Sequence, residues 1–205
     1  MTYSVTKRAI TGLAAAGIAV ASLALASKAQ DVSTAAATYT ADGQMVFPKD
    51  FRRWVYLTSG LDMSYVDKPS PGAAIFDNVF VDPAAYEAFV KTGTWPDGTV
   101  LALEHRLGEQ KGSINKHGHF QTDREGIEVH VKDTTRFKGG WAFFSFPTET
   151  PVKMIPQTVT CYACHTAHAA VDTTFVQFYP TLNPIAQAKG TYSAAYLAEV
   201  AGPKP

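Results

Sequence analysis

The pentapeptide Cys161-Tyr162-Ala163-Cys164-His165 combines two thiols and an imidazole at a spacing that suits a reactive or cofactor-binding site. Two thiols separated by two residues can each add to a vinyl group at one edge of a porphyrin, while the adjacent imidazole falls under the iron as an axial ligand. The chain has only these two cysteines, so no other thiol competes for them. The sequence therefore predicts one haem c, attached through Cys161 and Cys164, with His165 as the metal ligand.

Two other chemistries use the same pair of thiols. A redox dithiol or a disulfide suits an oxidising compartment, but such pairs follow a strand at the start of a helix in a βαβ unit, and no such unit is visible here. A zinc site needs four ligands, and the chain has no second Cys-x-x-Cys. Haem attachment is the favoured interpretation, and the other two stay open.

The first 29 residues have the pattern of a secretory signal. Lys7 and Arg8 precede an apolar run from Ala9 to Ala26, and small residues suitable for cleavage follow it. The alternative is a membrane anchor, because a spanning helix needs roughly 18 to 20 apolar residues. We expect a cleaved signal over 1–29, a flexible lead-in over 30–42, and a periplasmic protein with no membrane segment after cleavage.

The remaining composition is that of an ordinary globular domain. The chain has 205 residues, of which 46% are hydrophobic and 18% charged. Loss of residues 1–29 changes the net charge from zero to about −3, because it removes Lys7, Arg8 and Lys28 and no acid. A slightly acidic protein without a basic run argues against a nucleic-acid partner. We expect one domain over 43–205.

The patterns along this domain predict an α+β fold, with helices flanking an antiparallel sheet. Asp82 and Pro83 are typical of a helix start, and Gly93 is typical of its end. Short turns between apolar strands favour antiparallel pairing. Within the strand predicted over 99–105, alternation places Glu104 and His105 on opposite faces, so only one of them can face an interior cavity.

No second axial ligand stands out in the sequence. His130 falls on the polar side of the strand predicted over 126–132, so we expect it in solvent. The remaining candidates are expected at the surface (His117, His119, His168) or as core filler (Met45, Met63, Met154). This pattern favours an open coordination position, whereas electron-transfer cytochromes fill it with a strong ligand such as Met or His.

Several blocks of the chain, in order, resemble cytochrome P460 and its relative cytochrome c′-β. The resemblance covers about residues 43–183, and the matching blocks besides the haem motif are Pro48–Val55, Val79–Tyr86, Lys91–Thr99, Val131–Asp133, Arg136–Phe137, Trp141–Phe143 and Phe175–Pro180. The resemblance implies an exported, β-rich, usually homodimeric protein. It also implies a five-coordinate iron on a proximal histidine that handles hydroxylamine or nitric oxide.

The resemblance also assigns roles to individual residues. Arg52 matches a distal-side arginine, and Glu104 matches the carboxylate that assists proton removal from hydroxylamine in cytochrome P460. The position of the lysine that joins the porphyrin covalently in cytochrome P460 holds Asp77 here, and Lys68 is the nearest upstream lysine. The chain therefore resembles the family without its cross-link, which favours a haem of the c′-β kind.

Three functions follow from this comparison. The first is a binding protein that captures nitric oxide at an open iron, with Phe76 or Phe80 crowding the site. The second is an enzyme that converts hydroxylamine or peroxide, in which Glu104 and Asp77 transfer protons and Arg52 polarises the ligand. The third is electron transfer to a redox partner protein.

The enzymatic hypothesis has an alternative in which the same residues have only a structural role. Arg52 and one of the two acids could instead form an ion pair at the haem edge, with no part in proton transfer. The enzymatic hypothesis requires Arg52, Glu104 and Asp77 to lie in the haem pocket. It therefore predicts the positions of these residues as well as their chemical roles.

Overall fold

A computed structural model describes residues 37–64, 72 and 74–202. The predicted signal over 1–29 lies outside the described residues, as does Lys68. Of the predicted lead-in, residues 37–42 are described, and Tyr39 pairs there with Met45, which pairs in turn with Val152. Tyr39 also packs against the core, so the ordered fold begins before Gly43.

Five consecutive strands form an antiparallel sheet in the order β1-β2-β3-β4-β5. Their bounds are β1 Val55–Leu61, β2 Ala74–Val81, β3 Val100–Glu109, β4 Phe120–Lys132 and β5 Trp141–Phe146. Each strand pairs antiparallel with the next along the chain, including β2 and β3, whose connection contains a helix. The predicted α+β class with an antiparallel sheet is confirmed.

Helix α1, Pro83–Thr92, crosses between β2 and β3 and has the predicted ends. The Asp82 carboxylate accepts a hydrogen bond from Ala85 N at 2.9 Å, and its second oxygen accepts one from Val100 N at 2.9 Å. Gly93 has a φ of 77°, which suits a residue without a Cβ. Because one carboxylate bonds both the helix start and β3, Asp82 fixes the helix against the sheet.

The two faces of the sheet carry separate cores. On one face, alternate residues of β3 and β4, among them Ala102 and Val129, pack against the N-terminal segment that contains Phe47 and Phe51. On the other face, Leu101 and Trp141 belong to a second core that includes buried residues of the C-terminal segment, from Ala170 to Ala186. Both faces of the central strands are therefore covered. Full burial of one such large apolar side chain contributes about 1.5–3 kcal/mol to the free energy of unfolding.

The C-terminal part contributes three helices to the second face or its margin: α2 Thr160–His168, α3 Asn183–Lys189 and α4 Ala194–Ala201. A short 3₁₀ turn at Val176–Phe178 lies between α2 and α3. Helix α4 packs against α2. Over 37–64 and 74–202, no helix combines the length and apolar character that crossing a bilayer requires.

The β3–β4 hairpin is longer than the sequence predicts. The sequence indicates a loop over 108–123, whereas β3 continues to Glu109 and β4 begins at Phe120. The first half of β4 is largely exposed, so its residues lack the apolar alternation that identifies a half-buried strand. Backbone pairing and side-chain hydrogen bonds, such as the one that the Thr122 hydroxyl donates to Leu107 O at 3.2 Å, form this distal part of the hairpin.

Candidate functional site

Helix α2 places Cys161, Cys164 and His165 against the second face of the sheet. Tyr162 fixes this position, because its hydroxyl accepts from Phe143 N at 3.1 Å and donates to Ile155 O at 3.0 Å. Residues three and four apart lie on one side of a helix. The two thiols and the imidazole consequently line the same cavity.

His165 is held in one orientation and one tautomer. Its Nδ1 donates a hydrogen bond to Thr173 O at 2.7 Å, since a carbonyl can only accept. Its ring packs 4.6 Å from that of Phe143 and 4.4 Å from that of Phe175, between centroids. Burial lowers the pKa of His165. The imidazole is therefore neutral near pH 7, with its Nε2 lone pair available to a metal.

The cavity beside α2 has a volume of about 720 Å³. Its walls are mainly apolar side chains of the sheet and the C-terminal segment, including Leu101, Leu103 and Phe178. This volume falls within the range of about 300–1,000 Å³ that small-molecule and cofactor pockets occupy. Polar groups occur at its two ends, at α2 and at the far part of β2 and β3.

His130 is buried beside the cavity, so the prediction that it lies in solvent is wrong. Its ring stacks on Phe143 at 3.9 Å with an interplanar angle of 14° and lies 5.4 Å from the ring of His165. Its Nε2 and the Thr173 hydroxyl are 3.2 Å apart. Burial lowers the pKa of His130 well below its ordinary value, and His165 adds to this effect. His130 therefore supports the segment that holds His165.

Asp77 and His105 lie together in the cavity wall. They are directly opposite each other on β2 and β3, and Asp77 Oδ1 is 2.7 Å from His105 Nδ1. Their side chains are 21% and 30% exposed, so the pair has access to water. The hydrogen bond with Asp77 raises the pKa of His105, although burial opposes it. Sequence reasoning selected Asp77 and missed His105.

Glu104 and Arg52 lie on the opposite face of the sheet, away from His165. Glu104 is 1% exposed and pairs with Arg52, and its Oε1 is also 3.2 Å from Arg106 Nε. Asn78 Nδ2 donates to Glu104 at 3.5 Å. Because β3 alternates, the burial of Glu104 on this side leaves His105 on the cavity side. Glu104 and Arg52 thus do not line the cavity of His165, which corrects their predicted placement at the haem; they pair with each other, but not at the haem edge where the structural alternative put them.

Phe76 and Phe80 share that opposite face, so the expectation that they crowd the ligand is corrected as well. The Phe80 ring packs 5.6 Å from Phe51 and 5.7 Å from Tyr56. A Cβ at Gly108 would lie 3.1 Å from Phe76, which places this ring against the far part of β3. The period of two along β2 gives the cavity Ile75, Asp77 and Val79 instead.

The remaining candidates lie in different places. His168 is exposed as expected, and its Nδ1 lies 2.9 Å from Glu199 Oε2. His117 and His119 are also exposed. Met45 is core filler as predicted, whereas Met63 and Met154 are 45% and 38% exposed, which contradicts that prediction for both. Met63 lines the cavity.

The sequence matches a known protein family over the region that forms the sheet and most of the cavity. The family model of cytochrome P460 matches residues 48–176, which is more than half of the chain. The chain belongs to the cytochrome P460 family. No curated protein matches the sequence. The matched range contains the whole sheet, α1 and α2, and thus both ends of the cavity.

Membership of the cytochrome P460 family implies a haem, and the residues of the cavity fit one. Two thiols and a neutral imidazole from one helix reach the same apolar space, which is the donor set of a c-type haem. The Thr173 carbonyl already occupies His165 Nδ1, so Nε2 is the nitrogen available to iron. This agreement favours haem over the dithiol and zinc alternatives.

The described residues that line the cavity include no candidate for the cross-link of cytochrome P460. None of the described residues that line the cavity is a lysine or an arginine. Asp77, which the resemblance places at the position of the family's lysine, lies in the cavity wall. Its carboxylate is hydrogen-bonded to His105.

Proposed function

We propose that this chain is an exported c-type cytochrome that carries one haem and binds a small nitrogen or oxygen ligand, nitric oxide foremost. The haem is attached through Cys161 and Cys164, and His165 is its axial ligand. The cavity between α2 and the sheet would hold the haem and leave room for its ligand. The apolar run that follows Lys7 and Arg8 supports export to the periplasm.

The single observation that carries this proposal is the convergence of the haem-binding motif on one large apolar cavity. The thiols, the imidazole and the apolar side chains of β2, β3 and β5 all line the same space of about 720 Å³. A motif that occurs by chance has no reason to face a cavity of this size. Bound there, a haem supplies an iron centre that can take a gaseous ligand.

The protein's own residues have three tasks in this function. The thiols hold the cofactor, and the Thr173 carbonyl orients His165 through Nδ1. Leu101 and Leu103 on β3 give the sheet-side wall an apolar surface, which limits access of water. Asp77 and His105 supply the polar groups at the far end.

An absorption spectrum and a ligand titration test the proposal. The purified, exported protein is expected to give a high-spin, five-coordinate spectrum when reduced, and nitric oxide should shift it with a single binding step. Replacement of both Cys161 and Cys164 by Ala should abolish covalent haem retention. The matched control is Thr166→Ala on the exposed side of α2, which should retain the haem. A low-spin spectrum of the wild type would contradict the open position.

The second candidate is an enzyme that converts hydroxylamine or peroxide. The observation that favours it is the Asp77–His105 pair in the cavity wall, since a carboxylate and an imidazole can transfer protons. Glu104 and Arg52 lie on the other face and do not line the cavity, so this candidate is argued from Asp77 and His105. Turnover of either substrate that survives in Asp77→Asn and in His105→Leu would remove the pair from the mechanism, and a wild type without turnover of either substrate would eliminate the candidate.

The third candidate, electron transfer to a redox partner, requires a side chain as second axial ligand. Met63 lines the cavity and is the methionine placed for this role. A low-spin spectrum that becomes high-spin in Met63→Leu would establish it. An unchanged high-spin spectrum in this variant would eliminate Met63.

We also propose a homodimer, on the basis of family membership. Sedimentation equilibrium of the exported protein tests it directly. A mass of one chain at micromolar concentration would contradict the dimer and leave the haem proposal intact.

A further inference from the structure

We propose that His105 is the proton acceptor of the cavity, with Asp77 as its positioning residue. The ligand class is a small weak acid H–X, such as hydrogen cyanide, hydrogen sulfide or hydrogen peroxide, that binds as X⁻. As X⁻ is held in the cavity, the H–X bond breaks and the proton moves to His105 Nε2, with no change in oxidation state. This inference rests on the proposed function, because X⁻ needs the haem iron as its partner.

The geometry of the pair selects Nε2 as the atom that accepts the proton. Asp77 Oδ1 lies 2.7 Å from His105 Nδ1, and a carboxylate can only accept, so Nδ1 carries the hydrogen. The lone pair of neutral His105 is therefore on Nε2. A carboxylate behind an imidazole fixes the tautomer and stabilises the imidazolium that forms. Asp77 does both without touching the ligand.

The position of the pair relative to His165 leaves space for a ligand between them. Leu101 pairs with His130, whose ring lies 5.4 Å from that of His165. His105 is four residues further along β3, which corresponds to about 13 Å of extended strand. The proximal ligand and the proposed base thus lie towards opposite ends of one cavity. A haem on His165 would present its open side to the space between them.

The charges around His105 favour uptake of a proton. Asp77 faces it from β2, and Glu128 faces it from β4 with Oε1 4.0 Å from His105 Nε2. Glu125, also on β4, lines a smaller cavity that His105 shares. From α2, the groups that face the main cavity are His165 and the two thiols. The carboxylates stabilise the imidazolium, and they also raise the pKa of His105.

The nearest arginines do not alter this balance directly. Arg106 follows His105 on β3 but lies 3.2 Å from Glu104 and bonds the Thr122 carbonyl. Arg52 also pairs with Glu104. Among the described residues, the cavity wall contains neither lysine nor arginine, so His105 and His130 are its basic side chains besides His165. His130 supports the proximal side, which leaves His105 for the ligand.

The test compares a ligand that must lose a proton with one that has none. Hydrogen cyanide association is measured by stopped flow on the ferric holoprotein, and carbon monoxide association is measured on the ferrous holoprotein. His105→Leu is expected to slow cyanide association about 100-fold, the lower end of what general acid–base catalysis contributes. Carbon monoxide association should change by less than about two-fold, because no proton moves.

The pH profile tests the positioning role of Asp77. In the wild type, cyanide association should accelerate as pH rises through the pKa of His105, since only the neutral imidazole accepts a proton. Asp77→Asn should move this midpoint to lower pH, because the carboxylate that raises the pKa is lost, and Asp77→Glu should restore part of the shift. A merely structural contact would leave the midpoint in place. This profile keeps the inference testable even if His105→Leu fails to fold.

The matched control is His168→Leu. His168 pairs with Glu199 at 2.9 Å, so it forms a carboxylate–histidine pair of similar geometry, but both side chains are about half exposed and neither lines the cavity. This variant should leave both association rates unchanged. Unchanged cyanide association in His105→Leu would overturn the inference, and so would equal slowing of both ligands, which indicates a reshaped pocket.

Failure of the proposed function gives different signals. A wild type without haem absorption would remove the function itself. A low-spin wild type that becomes high-spin in His105→Leu would identify His105 as an axial ligand and would overturn the inference. A changed reduction potential with unchanged cyanide association would assign His105 to the haem periphery, and this outcome also overturns it.

Discussion

The two faces of the sheet each carry a carboxylate with basic partners, and neighbouring positions on β3 are occupied by Glu104 on one face and His105 on the other. On one face Glu104 is 1% exposed and pairs with Arg52 and Arg106. On the other face Asp77 is 21% exposed and pairs with His105 in the wall of the cavity. The two pairs differ in their basic residue and in their access to water.

This difference separates a structural pair from a chemical one. A guanidinium keeps its proton throughout the physiological range, so the Glu104 cluster has one charge state on its basic side. An imidazole changes its charge near neutral pH, and the Asp77–His105 pair can therefore accept or release a proton. We therefore expect substitution of Glu104 to affect stability and substitution of the Asp77–His105 pair to affect proton transfer.

The largest effect is expected from Glu104→Ala on the arginine face. Loss of this buried carboxylate leaves the Arg106 guanidinium without its partner, which should lower the free energy of unfolding by about 3 kcal/mol. Urea denaturation of the holoprotein measures this change. Cyanide association should stay at the wild-type rate in the folded fraction. A slower association at unchanged stability would place Glu104 in the chemistry after all.

A smaller effect is expected from His130→Leu, beside the proximal ligand. The variant removes the hydrogen bond between His130 Nε2 and Thr173 and the stacking on Phe143, which should lower the free energy of unfolding by about 1–2 kcal/mol. Because Thr173 also binds His165, the reduction potential should shift as well. Spectroelectrochemistry measures the potential, and an unchanged value would separate His130 from the iron.

Sequence patterns predicted the local features of the fold. Asp82, Pro83 and Gly93 located α1 because the caps of a helix are determined by adjacent residues. The β3–β4 hairpin was underestimated because its exposed half has no apolar period. Helix α3 was missed, although Pro184 near its start and Gly190 after its end are signals that could have located it.

The site was predictable only where one segment contains it. Cys161, Cys164 and His165 form one motif, so their common direction follows from the helix. The alternation of side chains along β3 predicted that Glu104 and His105 lie on opposite faces of the sheet. The packing of the C-terminal helices decides which of the two faces the cavity. His130 was predicted in solvent because Glu128 and Lys132 share its face, whereas Phe143 and the segment around His165 cover His130. Such coverage is a long-range property that strand patterns do not encode.

The pH dependence of stability should differ between the two faces. The raised pKa of His105 means that the folded state holds this proton more tightly than the unfolded chain. The contribution is fully present below the ordinary histidine pKa of about 6.5 and is lost as pH rises through the raised value. It should amount to less than about 1 kcal/mol because the pair is partly exposed.

Denaturation at several pH values measures this contribution, with Asp77→Asn as the comparison. The difference in free energy of unfolding between wild type and variant should shrink as pH rises through the pKa of His105. A difference that grows with pH in this window would contradict the assigned hydrogen bond between Asp77 and His105.

The smallest effect is expected from His168→Leu. The exposed pair with Glu199 should contribute no more than about 0.5 kcal/mol to the free energy of unfolding. Thermal denaturation of the holoprotein measures it. A loss of several kcal/mol would show that exposure is a poor guide to the importance of a carboxylate–histidine pair in this fold.

The intact mass of the exported protein after denaturation shows whether a haem is attached through Cys161 and Cys164, because only a covalent bond keeps a haem on an unfolded chain. We predict one haem retained on the wild type and none on the variant in which Cys161 and Cys164 are both replaced by Ala. A wild-type mass equal to that of the bare polypeptide would contradict the account.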